Sequence, residues 1–111
     1  MKQFNAAHLE VKKTFTQGFE THPYECGWAD EAIFYIAVEE VHGHNAALNA
    51  RVQISPDGVH WADEGTKFAP MTECGLYFVK VREFGNYLRL ATDIEGENAS
   101  FRLLVQIACK G

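Results

Sequence analysis

Strict alternation of apolar and polar residues over positions 47–55 predicts a β-strand that runs into a turn. Successive side chains of a strand point to opposite sides, so every second residue shares a face. In the next segment Pro56 presets its own φ, Asp57 can bond nearby backbone N–H groups, and Gly58 can adopt positive φ. We therefore expect Asp57 and Gly58 to form the structural turn of a β-hairpin. The apolar row of its first strand is Leu48, Ala50, Val52 and Ile54.

The same period of two recurs along the rest of the chain and predicts an all-β protein. Residues 76–82, 87–92 and 101–109 alternate in this way, whereas residues 32–38 are apolar on both faces, as in a central strand covered on two sides. Turn residues separate these segments. The pattern predicts a single antiparallel β-sandwich of seven to eight strands, either jelly-roll or immunoglobulin-like, with residues 1–111 as one domain.

Two short sequence segments each occur twice, which raises the question of an internal repeat. The segment Trp28–Glu31 recurs as Trp61–Glu64, and Glu25–Gly27 recurs as Glu73–Gly75. The spacing differs between the two pairs, and a duplicated unit requires one fixed spacing. We therefore expect no internal duplication.

The composition disfavours several classes of partner. Fifteen acidic residues against ten basic ones give a net charge of -5, which argues against nucleic-acid binding because that affinity comes from clustered Lys and Arg. No apolar run approaches the roughly 18 residues of a membrane span. The first residues lack the apolar segment of a signal peptide, and three cysteines cannot pair fully within one chain. We expect synthesis in the cytoplasm without a signal peptide, and no membrane span.

The segment His42-Gly43-His44 is the best candidate for a metal site. Histidines two residues apart on a strand point to the same side, and Glu39 or Glu40 just upstream could complete the ligand shell. The alternative is a polar turn. Because Gly43 disfavours a straight strand, the turn is the favoured interpretation.

No motif in the chain predicts catalysis. The three cysteines lack the close spacing of a zinc site, and the adjacent carboxylates Asp30-Glu31 and Asp63-Glu64 would face opposite ways on a strand. There is no phosphate-binding glycine loop and no nucleophile elbow. We expect a protein that is not an enzyme, with no catalytic residues and no cofactor.

Three aromatic residues are candidates for contact with a ligand or partner. Tyr24, Trp28 and Trp61 lie in or beside predicted turns, where a flat ring can stack on a sugar or fill a partner's pocket. The alternative is that these rings cap the core, since large side chains of small domains are usually recruited to packing.

The segment Ser55-Pro56-Asp57-Gly58-Val59-His60-Trp61 resembles the Ser-x-Asp-Gly-x-x-Trp hairpin of discoidin-like domains and of phage-type β-sandwich modules. Residues 84–90 are similar to a strand of those modules in which an aromatic residue and an arginine precede an aliphatic one. The resemblance implies a β-sandwich that serves as part of a larger assembly, such as a phage particle.

These observations lead to two functional hypotheses. The first is a non-catalytic structural or interaction module that forms a homo-oligomer or docks onto a larger protein assembly. The second is a carbohydrate-binding or small-ligand-binding module that uses Tyr24, Trp28 and Trp61, with a glycan as partner.

Overall fold

The computed structural model describes residues 4–111, including all side chains except those of 11 and 12. The all-β prediction is confirmed, since the described residues form six strands. No helix in this range is long and apolar enough to cross a membrane. Alternation with Glu10 and Lys12 predicts that the Val11 side chain faces inward, but that side chain lies outside the described residues. The strands are β1 (Phe4–Phe15), β2 (Tyr24–Glu25), β3 (Glu31–Ser55), β4 (Ala62–Lys67), β5 (Gly75–Arg82) and β6 (Tyr87–Lys110).

The number of strands differs from the prediction of seven to eight. Segments 32–38 and 48–55, expected to be separate, belong to the 25-residue strand β3, and segments 87–92 and 101–109 belong to the 24-residue strand β6. The two long strands pair antiparallel from Glu31 opposite Lys110 to Ser55 opposite Tyr87. The residues read as turns near 41–45 and 95–98 instead make bulges, which bend a ladder without ending it.

The other four strands flank this long ladder in two groups. One half-sheet has the order β1, residues 101–110 of β6, residues 31–38 of β3, then β5. The other has the order β2, residues 87–95 of β6, residues 47–55 of β3, then β4. We call them the first and second half-sheets. Together they form one curled antiparallel sheet, and a jelly-roll or immunoglobulin-like sandwich stays a prediction.

One hydrophobic cluster fills the inside of the curl. Alternate residues of β3 and β6 point inward from both half-sheets, as the period of two requires. Their burial is the main favourable term in folding. The largest of these fully buried side chains on the two strands are Phe34, Ile36, Leu48, Val52, Leu88, Leu90, Phe101, Leu103, Val105 and Ile107.

The bend between the half-sheets depends on backbone conformations that favour glycine. Gly43 in β3 has φ +113° and Gly96 in β6 has φ +114°. Two residues after each glycine, Asn45 and Asn98 have φ 54° and 52°, a left-handed conformation that asparagine tolerates better than most residues. Both long strands therefore bend at the same level, each through a glycine and an asparagine with positive φ.

The two bends are also related in sequence. Gly43-His44-Asn45-Ala46 corresponds to Gly96-Glu97-Asn98-Ala99, and Val52-Gln53-Ile54 corresponds to Val105-Gln106-Ile107 at the same spacing. The register has matching symmetry, because His44 pairs with Glu97 at the centre of the bend. A unit of strands β1 to β3 thus corresponds to a unit of β4 to β6. The expectation of no internal duplication does not hold. That expectation was based on the segments beginning at Trp28 and Glu25, whose copies are unequally spaced, whereas the copies at the two bends share one spacing.

The two units are interlaced rather than side by side. Strands β1 and β2 pair with β6, while β4 and β5 pair with β3. Each unit thus places its two shorter strands on the long strand of the other. An approximate two-fold axis through the bend relates the first half-sheet to the second.

Candidate interaction surface

The outer side of the first half-sheet carries a mostly apolar surface, interrupted by His8, Lys80 and Gln106, and we call its apolar residues the apolar face. On its edge strands Leu76 is 66% exposed, Phe78 is 57% exposed and Phe4 is 61% exposed. Between them lie half-buried residues of the two central strands and the buried Ala108. An exposed cluster of large apolar side chains is typical of an interaction site. The apolar face comprises Phe4, Ala6, Ile33, Tyr35, Ala37, Leu76, Phe78, Leu104 and Ala108.

The outer side of the second half-sheet is polar instead. Arg51 lies 3.2 Å from Asp63 through Nε and 3.3 Å from Asp93 through Nη1. The Gln53 side chain donates to Asp63 at 2.9 Å and accepts from Arg89 at 2.8 Å. The hydrogen bond from Gln53, and then the interactions with Arg51, lower the pKa of Asp63 below its ordinary value. We call this network of side chains the polar face.

The contrast between the two faces identifies the apolar one as unusual. The approximate two-fold axis relates the half-sheets, so the polar face shows that this fold does not require apolar residues outside the curl. Residues 32–38 were expected to be covered on both sides. That was wrong for Ile33, Tyr35 and Ala37, which no element of the described chain fully covers. The sequence signal was present, because a strand apolar on both sides needs a cover for each.

The two ends of the apolar face carry different sets of charged residues. At one end Lys80, Arg82 and Lys110 surround Glu31, whose Oε2 is 3.0 Å from Arg82 Nη2. At the other end Arg102 Nε lies 3.7 Å from Glu39 and 3.8 Å from Glu40. The first end has three basic residues and one acidic residue, and the second has two acidic residues and one basic residue.

Asp57 and Gly58 lie in the connection between β3 and β4, which pair antiparallel as a hairpin. Asp57 Oδ1 accepts hydrogen bonds from the backbone N–H groups of Val59 and His60, both at 2.8 Å. Ser55 Oγ accepts from the Gly58 N–H at 2.8 Å. Gly58 has φ +81°, a backbone conformation that glycine adopts without steric cost, so glycine is favoured at this position. Side-chain acceptors thus satisfy the backbone donors of this connection.

The carboxylate of Asp57 gives a pH-dependent prediction. Hydrogen bonds from the backbone and then the ring of His60, and from the Val59 backbone, hold the pKa of Asp57 well below its usual range. A lowered folded-state pKa adds stability above the unfolded value of about 3.9, and this is lost as pH falls. We expect Asp57→Asn to be less stable than wild type at pH 7 and the gap to close toward pH 2. Denaturant unfolding from pH 7 to pH 2 measures it; a constant gap would contradict it.

Trp61 and Tyr24 lie on opposite sides of the sheet. The Trp61 ring lies 4.1 Å from the guanidinium carbon of Arg89, in a cation–π contact beside the polar face. Tyr24 pairs with Leu88, whose buried side chain points into the curl. Arg89 and Leu88 are neighbours in one strand, so their side chains leave it in opposite directions. A single stacking platform therefore cannot include both rings.

Trp28 lies in the loop before β3, against the end of the chain. It is 37% exposed, and its ring lies beside Gly111.

Partial burial, with lesser contributions from Cys109 and Cys26, raises the pKa of Tyr24. Ligand contact by Tyr24, Trp28 and Trp61 stays a prediction.

His42 and His44 lie on either side of Gly43 at the central bend. Both are exposed, and His42 Nε2 is 3.6 Å from Glu40 Oε1. Within residues 4–111, no group of three or more His, Cys, Asp or Glu side chains is placed to hold a metal ion. Metal binding by the two histidines stays a prediction.

The cysteines divide into a buried pair and an exposed residue. Cys26 and Cys109 are fully buried, and a hydrogen bond between the two thiols raises the pKa of Cys26 and lowers that of Cys109. Cys74 is exposed and donates to the Glu39 carbonyl at 3.4 Å. No pattern in the sequence indicates that Cys26 and Cys109 meet, because one lies in a loop and the other in the last strand.

The fold and surface define an all-β module with a curled antiparallel sheet and one exposed apolar face. Residues 40–110 match the model of a domain of unknown function (DUF6385), and the chain belongs to that family. No curated protein matches the chain.

Two solved structures resemble the chain over almost its whole length. The crystal structure of the SPBc2 prophage-derived protein YomS has a TM-score of 0.66 and 8% identity, covering 100% of this chain and 96% of that one. The second is dimeric latent PorU from Porphyromonas gingivalis, with a TM-score of 0.37 and 10% identity; it covers 99% of this chain and 10% of that one. At such identities the likeness to YomS shows a shared fold.

Proposed function

We propose that this protein is a non-catalytic structural or interaction module that works by docking through its apolar face. The single observation that carries the proposal is the contrast between the two outer surfaces. Two half-sheets of corresponding topology face outward, one with an ion-paired polar network and the other with Leu76 and Phe78 in solvent. Solvent exposure of large apolar side chains is unfavourable, and a bound partner removes that cost.

The likeness to a prophage-derived protein supports placing the module in a particle-like assembly. YomS shares the curled fold along its whole length. The buried core of a protein–protein interface is more apolar than the rest of the surface, and this sheet face is of that kind. We propose that the apolar face is buried when the assembly forms.

A double substitution tests the proposal. Leu76→Ser together with Phe78→Ser removes the two most exposed large side chains of β5 without touching the core. We expect wild type to sediment as a species heavier than the 12.5 kDa chain, or to elute in a large complex from an extract of its native source. The double variant is expected to behave as a single chain in both experiments, because its docking surface is gone.

Val59→Ser is the matched control. Val59 is 74% exposed, but it lies in the hairpin connection outside the apolar face. This variant should assemble like wild type, and circular dichroism should show that all the variants are folded. A wild-type protein that is a single chain both alone and in the extract would overturn the proposal, as would a double variant that still assembles.

A further inference from the structure

We propose that Cys26 and Cys109 form a disulfide bond, which closes the open end of the curled sheet when the protein meets a low-molecular-weight disulfide such as oxidised glutathione. We call this bond the clasp. Both residues lie inside the curl, in the hydrophobic cluster, so the proposal is independent of the docking surface.

The open end of the curl lies opposite the central bend. The ladder between β3 and β6 stops at two places: Glu31 pairs with Lys110 at the end of the first half-sheet, and Ser55 pairs with Tyr87 at the end of the second. On the other side the two half-sheets are continuous through the bend. Their separate ends are therefore the place where the curl can open.

A short segment of the chain bridges these two ends. Cys26 donates its backbone N–H to the Asn86 carbonyl at 2.8 Å, beside the second half-sheet, and Asp30 donates its own to the Lys110 carbonyl at 2.8 Å, in the first half-sheet. Four residues of chain span at most about 14 Å. The two half-sheets therefore come close together at the open end, and residues 26–30 join them through backbone hydrogen bonds.

The side chains of both cysteines point into the space between the half-sheets. Cys26 follows Tyr24 by two positions, and Tyr24 pairs with Leu88, whose side chain is buried. Cys109 follows the buried Ile107 by two positions in β6, so it shares the inward row. Both cysteines are fully buried, and their thiols are hydrogen-bonded to each other. The two sulfurs thus face each other across the open end, as a disulfide requires.

The clasp stabilises the folded protein because the two cysteines are far apart in the sequence. A crosslink removes conformational entropy from the unfolded chain, and it removes more when the loop that it closes is long. Here the loop extends from the residue after β2 to the last residues of β6, so it includes most of both interlaced units. The bond also adds a covalent link between half-sheets that are otherwise joined at this end by hydrogen bonds.

The oxidation is a pair of thiol–disulfide exchanges. The thiolate of one cysteine attacks a sulfur of oxidised glutathione, which forms a mixed disulfide and releases one glutathione thiol. The thiolate of the other cysteine then attacks the protein sulfur of the mixed disulfide and releases the second glutathione thiol. One S–S bond forms and one breaks, and the two protons and two electrons lost by the cysteines are carried by the two glutathione thiols.

The burial of both sulfurs determines when the clasp can form. The oxidant reaches them when residues 26–30 move away from the sheet, or before the chain has folded. The test therefore has two arms. In the first, folded protein is incubated with oxidised glutathione; in the second, the chain is refolded from denaturant in the same solution.

Counting free thiols measures the outcome. Each sample is unfolded and treated with iodoacetamide, which labels every free thiol. We expect one label on the oxidised protein, at Cys74, against three on the reduced protein, and a proteolytic fragment in which Cys26 and Cys109 are linked. The oxidised form should melt about 10 °C or more above the reduced form. Dithiothreitol should reverse both changes.

Cys74→Ser is the matched control, because it removes the exposed thiol and leaves the buried pair. It should form the clasp like wild type. Cys26→Ser and Cys109→Ser should show no rise in melting temperature on oxidation, each compared with its own reduced form. Wild type and Cys74→Ser decide the outcome if either of these variants does not fold. Three labels on oxidised wild type in both arms, or a linkage through Cys74, would overturn the proposal, as would a clasped protein that melts no higher than the reduced one.

Discussion

Replacing Phe101 by alanine is expected to destabilise the protein by about 3–5 kcal/mol. Phe101 is fully buried in β6, where it lies between Val41 of β3 and Phe15 of β1. Removing the ring loses its transfer free energy and leaves a cavity in a core that both half-sheets share. Domains of this kind have a total unfolding free energy of about 5–15 kcal/mol. Chemical denaturation of the variant and of wild type measures the loss.

Phe78→Ala is the matched comparison for Phe101→Ala. The same side chain is removed, but Phe78 is more than half exposed on the apolar face. We expect this variant to lose less than about 1 kcal/mol when the protein is dilute enough to be a single chain. Equal losses at the two positions would contradict the placement of the core inside the curl.

Replacing Gly96 by alanine is expected to destabilise the protein by about 3 kcal/mol or more. The φ of +114° is unfavourable for any residue with a Cβ, at about 1–3 kcal/mol. A Cβ at this position would also lie 2.8 Å from both Ala46 Cα and the His44 carbonyl oxygen. These are backbone atoms of the opposite strand, so the bend itself would have to move. Thermal or chemical unfolding of the variant measures the effect.

Two other glycines separate the causes of that loss. Gly65 has φ +113°, but a Cβ there would have no neighbour within 4 Å. Gly65→Ala should therefore show the conformational cost alone, about 1–3 kcal/mol. Gly43→Ala should resemble Gly96→Ala, because its Cβ would lie 2.7 Å from Ala99 Cα. A Gly96→Ala variant no less stable than Gly65→Ala would show that the close approach of the two strands is not important.

The sequence predicted the inward and outward positions well because burial follows the period of two. Leu48, Ala50 and Val52 face the core as the alternation requires, and in the connection that follows Asp57 accepts hydrogen bonds from the backbone N–H groups of Val59 and His60. The length of β3 could not be read in the same way. Glycine and asparagine have the same local preference in a loop and in a bulge. Only the pairing with a second strand, bent at the same level, distinguishes the two.

The candidate surface was harder to predict than the core. Leu76 and Phe78 are ordinary residues of an alternating strand, and the sequence does not say which other strand lies beside them. Their importance comes from the register, which places them next to Tyr35 and Ala37. The aromatic residues singled out from the sequence, Tyr24, Trp28 and Trp61, lie outside the apolar face. An aromatic side chain can contact a partner from a turn or from a sheet face, so sequence position alone does not identify the surface.

The pairing of the first strand with the last has a consequence for how the chain reaches its native state. Phe4 lies opposite Lys110, so the ladder between β1 and β6 cannot close until Lys110 has been synthesised and has left the ribosome. Each interlaced unit needs the long strand of the other as a template, and sheets built from such distant contacts fold slowly. During synthesis the strands of the amino-terminal unit therefore have unpaired edges until β6 has been made. Unpaired strand edges of this kind make incompletely folded chains prone to aggregation.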